Sequence, residues 1–230
     1  MLAASLEHLS QTLTLVLKEL PSPFGEGSSY HPLYSPFLAR SLLEVSFTAL
    51  VARSDPFRIS TIAYSQSHSA YTAGEPNSLA FRWQGDVLLE ADAKKNWVQN
   101  AKPREISRSL LGDCQDQVFW RSSFIRFLDA AGDVAQPTAW MVELLGLSAE
   151  TFTPYMRSRA SRLFSSASKG VHHEFVIPIS SYYDQATLAE MVEEAIRLVA
   201  SLAVVANFCE HYSFRVSEAE ALDIFQKVQS

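Results

Sequence analysis

The stretch Asp184-Gln-Ala-Thr-Leu188-Ala-Glu190-Met-Val-Glu193-Glu194-Ala-Ile196-Arg-Leu-Val199-Ala-Ser-Leu202-Ala-Val-Val205-Ala-Asn-Phe-Cys-Glu-His211 decides the fold of this 230-residue chain. Asp184 has the short acceptor side chain that satisfies the open N–H groups of a first helical turn. Ile196, Val199, Leu202 and Val205 then recur along one helical face. The reading is a long helix over 184–211. Glu190, Glu193 and Glu194 fall in its first half, where carboxylates complement the helix dipole and make a solvated face. Its most apolar part, Leu198 to Phe208, is broken by Ser201 and Asn207 and falls short of the roughly 20 residues that cross a bilayer. Burial in the core is the simpler use of the stripe, and oligomerisation the alternative.

Helical signals continue outward from there. Ser217 and Glu220 have capping-box spacing before a final helix. Ser148-Ala-Glu150-Thr opens another, running toward Gly170, and Pro137 to Leu145 makes a short one. Val118, Phe119, Ile125, Phe127 and Leu128 belong to a helix stopped by Gly132. Near the start, Leu2, Leu6, Leu9, Leu13, Val16, Leu17 and Leu20 share a face that ends at Pro21 and Pro23. Ser35-Pro36 reads as a cap and first turn of a helix through about Arg53, and Asp55-Pro56 opens the next, to about Tyr71. A helical stretch to Trp83 follows, then a piece from Val87 to Val98 and a short helix from Pro103 to Gly112. Alternating strand patterns are scarce, Glu174 to Ile179 being the main one. The expectation is an all-α multi-helix bundle with few or no strands, one domain over 1–230, with a soft division near Gly132 into 1–132 and 133–230.

Composition fits a folded protein. Hydrophobic residues make up 47% and charged residues 19%, too apolar for a disordered chain. The net charge of −6 argues against a general nucleic-acid coat, though not against a local basic strip. Cys114 and Cys209 lie far apart, so no thiolate metal site is expected, and their scarcity fits a reducing compartment. The first residues show no basic leader before an apolar run. The expectation is a cytoplasmic protein with no membrane segment, no metal and no cofactor.

Titratable groups of several kinds crowd together in one place. Arg157, Arg159, Arg162 and Lys169 lead into Gly170-Val-His172-His173-Glu174. A histidine titrates near neutrality and can move a proton, while arginine offers a planar fork of donors to a phosphate. In the plainer reading one histidine caps the carbonyls at the helix end and the other packs in a loop. Adjacent residues point different ways, so at most one of the pair enters a given site. Two smaller clusters, Arg53-Ser-Asp55-Pro-Phe-Arg58 and Trp83-Gln-Gly85-Asp86, read as structural: a cap with Arg58 as its neighbour, and a packed aromatic at a turn. Arg58 and Asp86 lining a polar groove is the functional alternative. Phe37, Phe47, Phe57 and Phe81 read mostly as core, whereas Tyr30, Tyr34, Tyr182 and Tyr183 lie in breaker-rich segments, suited to an interface or equally to a loop packed on the bundle. No dinucleotide fingerprint, P-loop, zinc-protease helix or serine elbow is present.

A helical bundle whose basic helix ends in a histidine-containing turn resembles the HEPN group of prokaryotic helical proteins. The resemblance covers about Arg157 to Glu174. It implies a metal-independent ribonuclease site, an Arg and a His separated by four to six residues and completed across a dimer. Here Arg162 stands ten residues before His172 and Lys169 three, so the family spacing is not met. Carried over, the positions are His172 or His173 as the base and Arg162 or Lys169 as the cation. Many HEPN-like proteins are inactive binding modules. Two expectations follow. The first is a non-enzymatic accessory or adaptor subunit of a larger prokaryotic assembly, in defence against phage or mobile elements, with a protein partner or a second copy. The second is a HEPN-like ribonuclease that meets RNA through 157–173. An extended apolar patch marks the first, and convergence of the basic face with a histidine in one cleft marks the second.

Overall fold

A computed structural model describes residues 2–21, 30–69, 71–72, 80–88, 108–169 and 183–229, and among them the chain is an all-α bundle whose only β pairing is the isolated Gln84–Leu88 bridge. The helices are α1 (Leu2–Glu19), α2 (Tyr34–Ser54), α3 (Pro56–Gln66), α4 (Arg121–Ala131), α5 (Ala139–Leu145), α6 (Ala149–Lys169), α7 (Gln185–Asn207) and α8 (Glu218–Gln229). A single turn (Asp113–Gln115) and a π turn (Asp116–Trp120) lead into α4 without a break in helical backbone.

Local caps set most of the starts. The Arg58 N–H donates to Asp55 Oδ1 at 2.9 Å, with Pro56 in the first position, and the Thr187 N–H donates to Asp184 Oδ1 at 2.7 Å. Ser217 Oγ accepts from the Glu220 N–H at 3.2 Å. At α6 a threonine closes the box: Thr151 Oγ1 accepts from the Ser148 N–H at 2.9 Å while the Phe152 N–H returns to the Ser148 carbonyl.

Other boundaries differ from those expected. Ser35 is not a cap. It is buried inside α2, its N–H bonded to the His31 carbonyl, because Leu33 already has helical backbone and starts the winding earlier. α3 ends at Gln66 rather than Tyr71, because the Ser67 hydroxyl and N–H turn back onto Tyr64 and Ala63. α7 ends at Asn207 rather than His211 for a reason given below. Arg82 is extended where a helix to Trp83 was expected, and the helical backbone at Arg108 gives way to a turn over Ser109 to Gly112, a few residues short of the expected end at Gly112. Glu174–Ile179, Pro103 and most of the Val87–Val98 piece lie outside the described residues.

α2 and α7 form the centre. Leu42, Leu43, Phe47 and Leu50 pack against Leu188, Val192, Leu198 and Leu202, with α6 closing one side through Phe152, Met156 and Leu163. An aromatic cluster fills the space between α4, α6 and the chain after α7: Phe124 stacks on Phe152 at 4.4 Å, and Phe127 meets Phe208 edge-on at 5.7 Å. One hydrophobic cluster extends from Leu20 to Phe225, crossing Gly132. α2 is the described helix that reaches the length and hydropathy of a membrane span, and 56% of that window is buried in the bundle. Phe47 is core as expected, but Phe37 and Phe57 are exposed on the outer faces of α2 and α3.

Candidate functional site

The basic helix α6 faces the acids of α7, and much of its charge is consumed there. Arg159 is buried. Its guanidinium grips both Glu194 oxygens through Nε and Nη2, and its Nη1 reaches Glu143 of α5. Arg197 joins the same two carboxylates, donating to Glu143 Oε2 at 3.0 Å and to Glu194 Oε2 through Nε at 3.1 Å. The Tyr155 hydroxyl donates to Glu143 Oε1 at 2.7 Å, and its ring lies under Arg159. Two cations and two anions close a neutral ring that ties α5, α6 and α7 together. Burial alone would push the Glu194 carboxyl up, but hydrogen bonds and charge from Arg159 and Arg197 outweigh it and hold it below the usual carboxylate range. Glu194 is therefore not part of a solvated acidic face. Its helical spacing to Arg197 hides the longer-range partner, Arg159.

Beside this ring is a polar cleft of about 440 Å³ between α6 and α7, lined by Arg162, Ser166, Tyr183, Thr187 and Glu190 as well as the ring. Arg162 is exposed on it, and Lys169 is exposed as the last residue of α6. Arg157 points elsewhere, donating to Asp113 Oδ1 and to the Leu111 carbonyl, both at 2.6 Å. The four cations expected on one face are thus divided: two paired with acids, two exposed. His172 and His173 lie outside the described residues, as does Tyr182. Tyr183 is half-buried, its hydroxyl donating to the Ser166 carbonyl at 2.6 Å.

Arg58 and Asp86 do meet, but in the interior rather than along a groove. The Asp86 side chain is 0% exposed and lies 3.0 Å from Arg58 Nη2 and 2.8 Å from Arg108 Nε, and it accepts the Arg82 N–H at 2.8 Å. Arg58 therefore uses only its backbone on Asp55. The turn that delivers Asp86 needs Gly85, whose φ of 103° lies in the left-handed region. Trp83 is packed as expected, stacked on Phe164 at 4.1 Å, and the Arg40 guanidinium lies over the same Phe164 ring at 4.8 Å.

The second concavity is apolar. A groove of about 470 Å³ runs along the other side of α7, floored by Ile196, Val199, Ala200 and Ala203 and flanked by Leu13 and Leu17 of α1 and Ile224 and Val228 of α8. The stripe read from sequence is thus split: Leu202 and Val205 are core, while Ile196 and Val199 are half-buried in this groove. The rim stays open, with Leu17 46%, Val216 44%, Ile224 50% and Phe214 65% exposed. Its far end is built by two clamps. The Asn207 amide exchanges hydrogen bonds with the Val216 backbone, both 3.0 Å, and Arg53 exchanges two with Ser213, both 3.1 Å. The Asn207 clamp turns the chain out of α7. At the other end of α7 the Gln185 amide does the same for the Tyr30 backbone, at 2.9 and 2.8 Å, so Tyr30 is buried rather than an exposed anchor. Single amides and an arginine at helix ends carry no periodic signal, so the sequence showed Arg53 and Asn207 without the partners they hold.

Among the described residues no three His, Cys, Asp or Glu side chains stand close enough to hold a metal ion. No protein-family model matches the chain, and no curated protein or solved structure is significantly similar to it. The class defined by fold and site is an all-α bundle with a neutralised ionic ring on one side of its longest helix and an open apolar groove on the other.

Proposed function

We propose that this chain is a non-enzymatic helical accessory or adaptor subunit of a larger prokaryotic assembly that acts in defence against phage or mobile elements. The observation that carries the reading is the open apolar groove along α7, whose rim leaves four large apolar side chains in water. A concave apolar surface of this kind, open along its rim, is the form that protein interaction grooves take. The pairing of Arg157 and Arg159 with acids supports the same reading, since it removes half of the basic face that a phosphate would need. The prokaryotic and defence setting rests on the HEPN-like resemblance alone.

A photo-crosslinking side chain placed at Phe214, in the cells that make the protein, is expected to link to one partner protein. The same group at exposed Ser161 of α6 is expected not to. Absence of a crosslink at both positions would overturn the adaptor reading.

Arg162 favours a second reading, a HEPN-like ribonuclease, because its exposed guanidinium lines the polar cleft three residues from Arg159 and is not drawn into the ring. In that reading His172 or His173 is the base and Lys169 a second cation, the site being completed across a dimer. RNA cleaved in EDTA by the wild-type protein, and left intact by both Arg162→Ala and His172→Ala/His173→Ala, would put this reading first.

A further inference from the structure

Arg53 is the anomaly of the apolar groove. It stands one residue before the end of α2 and lines the groove. Its Nε donates to the Ser213 carbonyl, but its Nη2 is enclosed and has no hydrogen-bond partner among the described residues. No carboxylate among the described residues forms an ion pair with it, and the charged neighbour that acts on it is another cation, Arg215. Burial is the main cause that pushes the Arg53 guanidinium below the usual arginine range; Tyr212 and Cys209 oppose it, and Arg215 adds a smaller push in the same direction as burial. A guanidinium nitrogen taken out of water without a hydrogen-bond partner carries a free-energy cost that a partner would relieve. Here it sits at the closed end of an apolar trough, beside Phe214, whose φ of 59° holds an exposed aromatic in a backbone region that side-chain-bearing residues avoid.

We propose that the groove receives the apolar face of an amphipathic helix from a different protein, and that an aspartate or glutamate on that helix pairs with Arg53. This deepens the adaptor reading and rests on it. The floor runs from Ile196 to Asn207 of α7, about 17 Å or three helical turns, which suits anchors spaced i, i+3 or i+4, and i+7. The alanines at 200 and 203 keep its floor low, so a helix can approach α7 closely between the larger flanking side chains. An alkyl carboxylate would satisfy Arg53, but small-ligand sites enclose most of their ligand. This groove leaves its rim open on both sides, so its occupant is wider than a single chain.

The test uses the full-length protein and a display library of 16-residue helical peptides randomised on one face. Selected peptides are expected to carry large apolar residues at the i, i+3/i+4, i+7 positions and one acidic residue at a fixed offset. Their affinity should fall at least about tenfold on Ile224→Arg, an exposed rim position whose fold is checked by circular dichroism. Replacing the peptide's acid with its amide should weaken binding to the wild-type protein about tenfold or more, and to Arg53→Gln about twofold at most. The peptide-side change leaves the protein untouched, so it decides the question even if Arg53→Gln disturbs the Ser213 clamp. Peptides that need Ile224 but bind equally with acid or amide would overturn the Arg53 pairing and leave the adaptor reading standing. Selections yielding no peptide sensitive to Ile224→Arg would overturn the docking site. A dimer that Ile224→Arg dissociates in sedimentation would overturn the foreign helix in favour of a second copy.

Discussion

Asp86 shows how one carboxylate can hold separate parts of the chain. Its side chain has no exposure, and Arg58 from α3, Arg108 just ahead of the Ser109–Gly112 turn and the Arg82 N–H converge on it. Asp86→Asn leaves two guanidinium groups facing a neutral amide, and it should destabilise the fold by about 3 kcal/mol in equilibrium urea unfolding. Glu194 makes a different prediction, because its folded pKa lies below its ordinary value of 4.5. The carboxylate therefore contributes stability that is complete above that value and lost as pH falls through the depressed folded one. Glu194→Gln should show a flatter decline of stability than wild type on the acid side, when urea midpoints are compared between about pH 3 and pH 7. An identical acid slope in the two proteins would show that the ring does not titrate through Glu194.

Helix boundaries were legible wherever the cap is local. Asp55, Asp184 and Ser217 each satisfy an N–H three residues ahead, and that spacing is printed in the sequence. Asp55→Ala should cost about 1 kcal/mol, read as a lowered urea midpoint with an unchanged slope, since Pro56 still presets the first turn. Boundaries that depend on distant partners were misplaced. α7 stops four residues early because Asn207 binds Val216. Ser35, with all the local marks of a cap, was absorbed into α2 when the turn at Pro32-Leu33 began winding first. Phe37 and Phe57 show the same limit: both have apolar side chains on helices, but which face of a helix is covered depends on neighbours that periodicity does not name.

In the whole molecule, α7 separates two surfaces of opposite character. Toward α6 and α5 it shows charge, already neutralised, and toward α1 and α8 it shows apolar side chains still open to water. Ile224→Arg separates stability from docking. At a half-exposed position it should change the unfolding free energy by no more than about 0.5 kcal/mol, while abolishing the crosslink from Phe214. A large loss of stability in this variant would mean that Ile224 belongs to the core rather than to the groove.

By itself the sequence determined the all-α class, the number of turns in most helices and the existence of a basic helix followed by a histidine pair, because helical hydrogen bonds and caps join residues three or four apart. Only the tertiary structure decided that Arg157 and Arg159 are occupied, that Glu194 is an ion-pair partner rather than a solvated acid, and that Arg53 has no such partner among the described residues. Those outcomes join or fail to join residues tens of positions apart: Arg159 with Glu194 across two helices, Arg58 with Asp86 28 positions on, Arg53 with Ser213 across most of the chain. Charge pairing depends on distances of a few ångströms between side chains, and packing sets those distances only after the helices have formed.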